Sequence, residues 1–282
     1  MSYNPAIPRN RYDSYGDREW SRLEKDGHGE LLYRVHLEIL KRYIHPTDKV
    51  LEIGAGSGRY TKDLVNICEA LTVGDISSHQ IEFNKSKMKE LSLFQKIQAF
   101  HVLDVLDMSI FENSIFDSIV CIGGVINYLL DREKDGITEM LRVLKPGGIL
   151  VVGAMSFIGA SLYYLDGIRY EKDQLGLEAT KWVFNTGIQD EEHYPVPSKH
   201  YVHMMRSNEM DSLFAPFPVE IKERSSAGLF TQAGDSALES ARNDKEFWEL
   251  IVEKEIEFTK LQGTLDCGMN MIYVVQKQNT CT

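Results

Sequence analysis

The sequence predicts an α/β protein built on a doubly wound, mostly parallel sheet of seven strands with helices on both faces. Three observations carry that reading. Lys49–Thr61 reads as strand, tight glycine turn and helix. Strand and helix signals then alternate five times up to Met155, and Lys145-Pro146-Gly147-Gly148 supplies the bend from a helix back into a strand. Alternation of this kind specifies a parallel sheet wrapped by helices.

In the first unit, Val50, Leu51 and Ile53 form a short apolar run without helical spacing, as in a strand buried on both faces. Gly54, Gly56 and Gly58 let the chain turn sharply and let a ligand lie against the backbone. The N–H groups of the following helix, Tyr60–Ala70, then suit a negative or polar group. Leu71–Ser77 is the second strand, with Asp75 at its end. A carboxylate about twenty residues past a glycine turn can accept hydrogen bonds from ribose hydroxyls. Capping the helix His79–Leu91 is the competing role for Asp75, and one that Ser77 or Ser78 can fill instead.

Ile97–Leu103 alternates as a third strand and is followed by Asp104-Val105. Phe116–Ile122 is a fourth, running into Gly123-Gly124-Val125-Ile126-Asn127-Tyr128 at the end of the sheet that lines the ligand crevice in open α/β folds. A helix over Ile137–Leu144 and a fifth strand over Ile149–Gly153 complete the alternation.

Two segments now carry a family resemblance. Glu52-Ile53-Gly54-Ala55-Gly56-Ser57-Gly58 has the form acidic-x-G-x-G-x-G, and Glu139-Met140-Leu141-Arg142-Val143-Leu144-Lys145-Pro146-Gly147-Gly148 matches the helix-to-strand return of the same family. Over roughly Arg11 to Met155 the chain resembles the class I methyltransferases that depend on S-adenosylmethionine (SAM), which have a Rossmann-like fold. The resemblance implies SAM as cofactor. It implies cofactor contacts from Glu52, Gly54, Ala55, Gly56 and Gly58, from Asp75 and Ile76, and from Ile122, Gly123 and Asn127. Asp104 and Val105 would hold the adenine, with Asp107 as the alternative. An N-terminal aromatic segment bearing Tyr12 and Trp20 would close over the methionine end, where aromatic faces suit a sulfonium. The last strand would run antiparallel. No metal is expected.

The spacing departs from the dinucleotide fingerprint G-x-G-x-x-G, because Arg59 stands where that pattern wants glycine. An NAD-dependent oxidoreductase is thus the disfavoured alternative, and a non-catalytic SAM-binding protein is another. Asn127-Tyr128 lacks the Asn/Asp-Pro-Pro-aromatic signature of base and glutamine methylation, which weakens a base-methylating reading; an RNA or protein methyltransferase is the alternative within the family.

Outside the core, Tyr3–Asn10 reads as an irregular arm and 11–44 as helical. The expected organisation is a helical cap over 1–46, a cofactor core over 47–155, and an aromatic substrate lid over 156–206. The rest of the core then spans 207–282. In that last part, Ser207–Phe214 reads as a helix, Pro218–Arg224 as the sixth strand, Asp235–Leu261 as one long inserted helix and Met269–Gln276 as the seventh strand. Methyl transfer needs a base where the acceptor carries a proton. His28, His193, His200 and His203 are the candidates for that base, with His200 first because it follows the prolines that return the lid to the core. Tyr128 and Asp166 are further candidates for substrate contact.

The chain has 282 residues and a formal net charge of −11, which argues against DNA and disfavours RNA. Cys68, Cys121, Cys267 and Cys281 form no C-x-x-C pair, so neither a disulfide framework nor a zinc site is indicated. No apolar run reaches membrane-spanning length, and the N-terminus carries no apolar leader. The expectation is a cytoplasmic monomer or homodimer acting on a small molecule or short peptide.

Overall fold

The computed structural model describes residues 3–15, 18–21, 25–261 and 263–279; Cys281 and the ends of the 1–46 and 207–282 segments lie outside them. The strands are β1 (Lys49–Ile53), β2 (Ala70–Asp75), β3 (Ile97–Val102), β4 (Phe116–Cys121), β5 (Leu144–Met155), β6 (Ile188–Gln189), β7 (Val202–His203), β8 (Val219–Ala227) and β9 (Asn270–Lys277). The α-helices are α1 (Ala6–Tyr15), α2 (Arg18–Ser21), α3 (Gly27–Tyr43), α4 (Thr61–Leu64), α5 (Ser78–Glu90), α6 (Val125–Tyr128), α7 (Glu133–Val143), α8 (Phe157–Tyr163), α9 (Leu165–Leu175), α10 (Leu177–Thr186), α11 (Ser207–Phe214), α12 (Asp235–Arg242) and α13 (Lys245–Phe258).

Seven strands form the main sheet in the order β3-β2-β1-β4-β5-β9-β8, and β6 with β7 makes a separate ribbon. Strand β1 pairs in parallel with β2 and β4, with Leu51 opposite Thr72 and Ile119. Strand β9 is antiparallel to both β5 and β8, so the late strand is reversed between its neighbours. The order reverses beside β1, and the carboxyl ends of β1 and β4 therefore diverge into a crevice.

Each face of the sheet has its own core. Leu51 and Ile53 face a cluster with Ile119, Ile137 and Met140, while Val50 faces the other side with Leu40, Leu64, Val73 and Ile81. This alternation along β1 decides where Glu52 points. It shares the face of Val50, beneath α4.

Four local expectations change. The presumed arm is helical: α1 starts at Ala6 and holds Pro8 in its first turn, where a missing N–H costs no helical bond. The helix expected over Tyr60–Ala70 is the single turn α4 followed by irregular turns, since Val65, Asn66 and Ile67 are poor helix formers. The one long helix expected over Asp235–Leu261 is broken into α12 and α13, because the Asp244 carboxylate accepts from Phe247 N–H and restarts the helix. The sixth strand also runs on to Ala227.

The segment beyond Met155 folds as α8, α9 and α10 followed by the β6-β7 ribbon. It has a small core of its own, Phe157, Val183, Tyr194, Val196 and Tyr201, against which Tyr128 and Ile7 pack. Leu31 of α3 packs with Leu238, Trp248 and Val252, which fixes α12 and α13 to the N-terminal helices.

Candidate functional site

The crevice at the ends of β1, β2, β3 and β4 holds a cavity partly open to solvent. Its wall includes Gly54, Ala55, Gly56, Asp75, Ile76, Asp104, Val105, Ile122 and Gly123 from the strand ends, and Tyr12 and Tyr128 from the helices above them. The glycine turn is shaped by its own backbone. Gly54, Gly56 and Gly58 all have positive φ, and a Cβ on Gly54 would lie 2.2 Å from Val125 Cγ2.

Asp75 closes the turn from behind. Its carboxylate accepts from Gly56 N–H and Ser77 N–H, both at 2.8 Å, and burial pushes its pKa up to about 6. The Ser77 hydroxyl, not Asp75, caps α5 by accepting from Gln80 N–H. Asp104 accepts from Tyr3 Oη at 3.0 Å and from Leu106 N–H at 2.9 Å.

Four residues expected at the cofactor stand elsewhere. Glu52 is buried under α4, where it accepts from the Thr61 hydroxyl at 2.6 Å; burial, with the nearby Asp75 charge, pushes its pKa up to about 8. Gly58 meets Asn84, whose Oδ1 would lie 2.6 Å from a Cβ there, so this glycine serves the contact with α5. Asn127 is fully buried and ties strands together: its amide donates to the carbonyls of His203 and Met155 and accepts from Met155 N–H. Trp20 lies with its ring 4.8 Å from the Arg59 guanidinium, outside the cavity wall. Asp107, the alternative to Asp104, is also outside that wall.

A second chamber adjoins the first. Tyr12, Tyr60, Gly123 and Tyr128 belong to both walls, and His200, His36, Met155, Tyr164 and Asn270 line the second alone. In the shared wall the Tyr12 and Tyr128 hydroxyls are 3.0 Å apart, and Tyr128 Oη is 2.8 Å from His200 Nε2. Burial pushes His200 down to about 3 and the Tyr128 phenol up, so both are neutral near pH 7.

The other histidines have different settings. His28 stacks on Tyr163 at 4.2 Å, His193 is held by the buried Asp190, and His203 Nδ1 is 2.7 Å from Glu133. Asp166 is exposed on α9 and reaches neither cavity. Tyr3, Pro8, Ser57 and Tyr60 of the first wall and His36 of the second went unassigned in the sequence. The polar His36 within the apolar stripe of α3 was the one visible signal.

The first cavity suits SAM on two features of this chain. Gly123 has φ +87° with nothing within 4 Å of the position a Cβ would take, which leaves an open cradle at the strand end. Ser57 Oγ is buried in the cavity wall without a hydrogen-bond partner among the described residues. A polar cofactor against the turn would satisfy it.

Residues 51–152 match the model of a family described as methyltransferase domain. A probable methyltransferase, LtbC, from Aspergillus luteorubrus is 33% identical over 115 residues, 38% of this chain and 40% of that protein. A ubiquinone/menaquinone biosynthesis C-methyltransferase, UbiE, from Geotalea daltonii is 29% identical over 51% of this chain and 55% of its own length. The chain thus spans about half the length, or less, of these curated relatives. Among solved structures, a Methanosarcina mazei SAM-dependent methyltransferase superposes with TM-score 0.57 at 22% identity, covering 85% of this chain and 97% of the other. A chain from the Haloferax volcanii complex of the Trm112 methyltransferase activator superposes with TM-score 0.59 at 17% identity, covering 97% and 99%. At such identities the likeness is one of fold. Residues 51–152 thus carry a methyltransferase domain, and the sheet that holds it has the fold of the SAM-dependent methyltransferases.

Proposed function

We propose that this chain transfers the methyl group of SAM to an oxygen or nitrogen of a small molecule or short peptide seated in the second chamber, in the cytoplasm. The observation that carries the reading is the shared wall. One cavity is built on the glycine turn, the other on His200, and Tyr12, Gly123 and Tyr128 stand between them.

When bound, SAM supplies a methyl group already activated on a sulfonium, so the chain has to position the acceptor, exclude water and remove a proton. Positioning of this kind can contribute about 7–11 kcal/mol in favourable cases. The Asp75 carboxylate, fixed by two backbone N–H bonds, would receive ribose hydroxyls, and Asp104 and Val105 would meet the adenine. The tyrosine rings at the wall would face the cation. In the tautomer that leaves His200 Nε2 unprotonated, Tyr128 donates to it; as the acceptor's heteroatom forms its bond to carbon, its proton passes to Tyr128 Oη while the phenolic proton moves to His200. Because burial and the Arg11 charge push its pKa down to about 3, His200 is a weak base, and it takes that proton late, once bonding to carbon has made the acceptor's heteroatom strongly acidic.

The lid packs over Tyr128, which favours a small acceptor over a folded macromolecule. Calorimetry of the purified chain with SAM and, separately, NAD tests the cofactor. Methylation of a small-molecule and peptide panel, read by mass spectrometry, tests the acceptor. Binding of NAD alone would overturn the proposal.

A further inference from the structure

The second chamber opens beside a strip of apolar side chains that face solvent. Ile158 and Leu162, one turn apart on α8, and Leu165, at the start of α9 just past the Tyr164 junction, are 44%, 55% and 55% exposed. Tyr164, at the junction, is 45% exposed and also lines the chamber. No charged residue occurs between Met155 and Asp166. The inner side of the same segment is already satisfied, since Phe157 and Ala160 are buried in the lid core and Tyr163 stacks on His28.

An exposed apolar strip that runs into a cavity is expected where an apolar ligand passes from one to the other. Three half-exposed aliphatic side chains and one ring fall well short of the roughly 800 Å² per partner of a standard protein interface. They do match one hydrocarbon chain laid along a helix. We propose that the methyl acceptor is an amphiphile whose polar, methylatable head enters the second chamber and whose apolar tail leaves past Tyr164 to lie on Ile158, Leu162 and Leu165. This rests on the reading of that chamber as the acceptor site.

The test uses the full chain with SAM present and 4-alkylphenols carrying tails of one, four and eight carbons as probes, titrated by calorimetry. Affinity should rise with tail length, up to roughly fourfold for each fully buried methylene. In Leu162→Ser/Leu165→Ser the four- and eight-carbon probes should lose most of that gain while the one-carbon probe and SAM bind as before. A flat length series in the parent chain, or an undiminished one in the variant, overturns the proposal. So does a parent dimer that the variant abolishes in sedimentation, which would make the strip a contact between copies. Flotation with phosphatidylcholine vesicles that depends on the two leucines without any length series would assign it to a lipid surface instead. Loss of SAM binding in the parent would overturn the functional reading and leave the tail-length result to stand alone.

Discussion

The Tyr128 hydroxyl stands 2.8 Å from His200 Nε2 and 3.0 Å from the Tyr12 hydroxyl, joining residues from α6, the lid and α1 in one hydrogen-bonded chain. These three segments lie far apart in sequence and meet at the wall between the two cavities. On the proposed mechanism, Tyr128→Phe and His200→Gln each lower kcat by about 10²–10⁴-fold, the usual contribution of a positioned acid or base. SAM affinity stays unchanged in both. A full-rate Tyr128→Phe enzyme in a methylation assay would remove the relay.

The pH dependence of that rate follows from burial. His200 is pushed down to about 3, so it is neutral and able to accept a proton throughout the range from pH 5 to 8. With SAM saturating, so that the Asp75 carboxyl near 6 does not enter, the pH–rate profile should then show no loss of activity with a midpoint near 6.5, where an ordinary histidine would protonate. An acid limb near 6.5 that disappears in His200→Gln would contradict the buried setting.

Asp75→Asn should weaken SAM binding by about 1–3 kcal/mol, the cost of losing a charge-assisted hydrogen bond, with little change in melting temperature. Gly56→Val should abolish binding. At φ +52° a β-branched residue is strained, and its side chain would project toward Glu19 beside the cavity. Calorimetry and a thermal melt on each variant separate loss of the site from loss of the fold.

Glu52 bears on stability. Its carboxyl is protonated in the folded chain up to about pH 8, whereas the unfolded chain ionises near 4.5. The unfolded state thus binds fewer protons between those values, and stability falls as pH rises through that window, by a few kcal/mol in order of magnitude. Glu52→Gln keeps a neutral partner for Thr61 and cannot ionise. Its stability in urea should change less than that of the parent between pH 5 and 8, and equal slopes would refute the buried neutral acid.

Asn127→Ala removes the amide that satisfies Met155 and His203 at once. Each orphaned buried group costs about 1–3 kcal/mol. The melting temperature should drop, and acceptor binding should weaken more than SAM binding, because the loosened ends are those of β5 and β7 on the lid side.

Much of this protein could be read in the sequence because parallel α/β architecture writes itself locally. Buried strands are short apolar runs, and positive φ favours glycine in tight turns; Gly54, Gly56 and Gly58 all stand there. That was enough for the sheet, for the crevice at the ends of its strands, and for the cofactor of the family. It did not say which way a strand residue faces. Glu52 belongs to the motif but shares the face of Val50, and Asn127 follows the right strand end, in α6, with its side chain bonded to the backbone of β5 and β7. Nor could it pair His200 with Tyr128 and Tyr12, or place Tyr164 both in the chamber and at its mouth. The hydrogen bonds among them join residues 72 and 116 apart, Tyr128 with His200 and Tyr12 with Tyr128. Only the packing of the helical cap and the lid onto the sheet brings them together, because side-chain direction and long-range contact are fixed by tertiary structure and leave no local pattern.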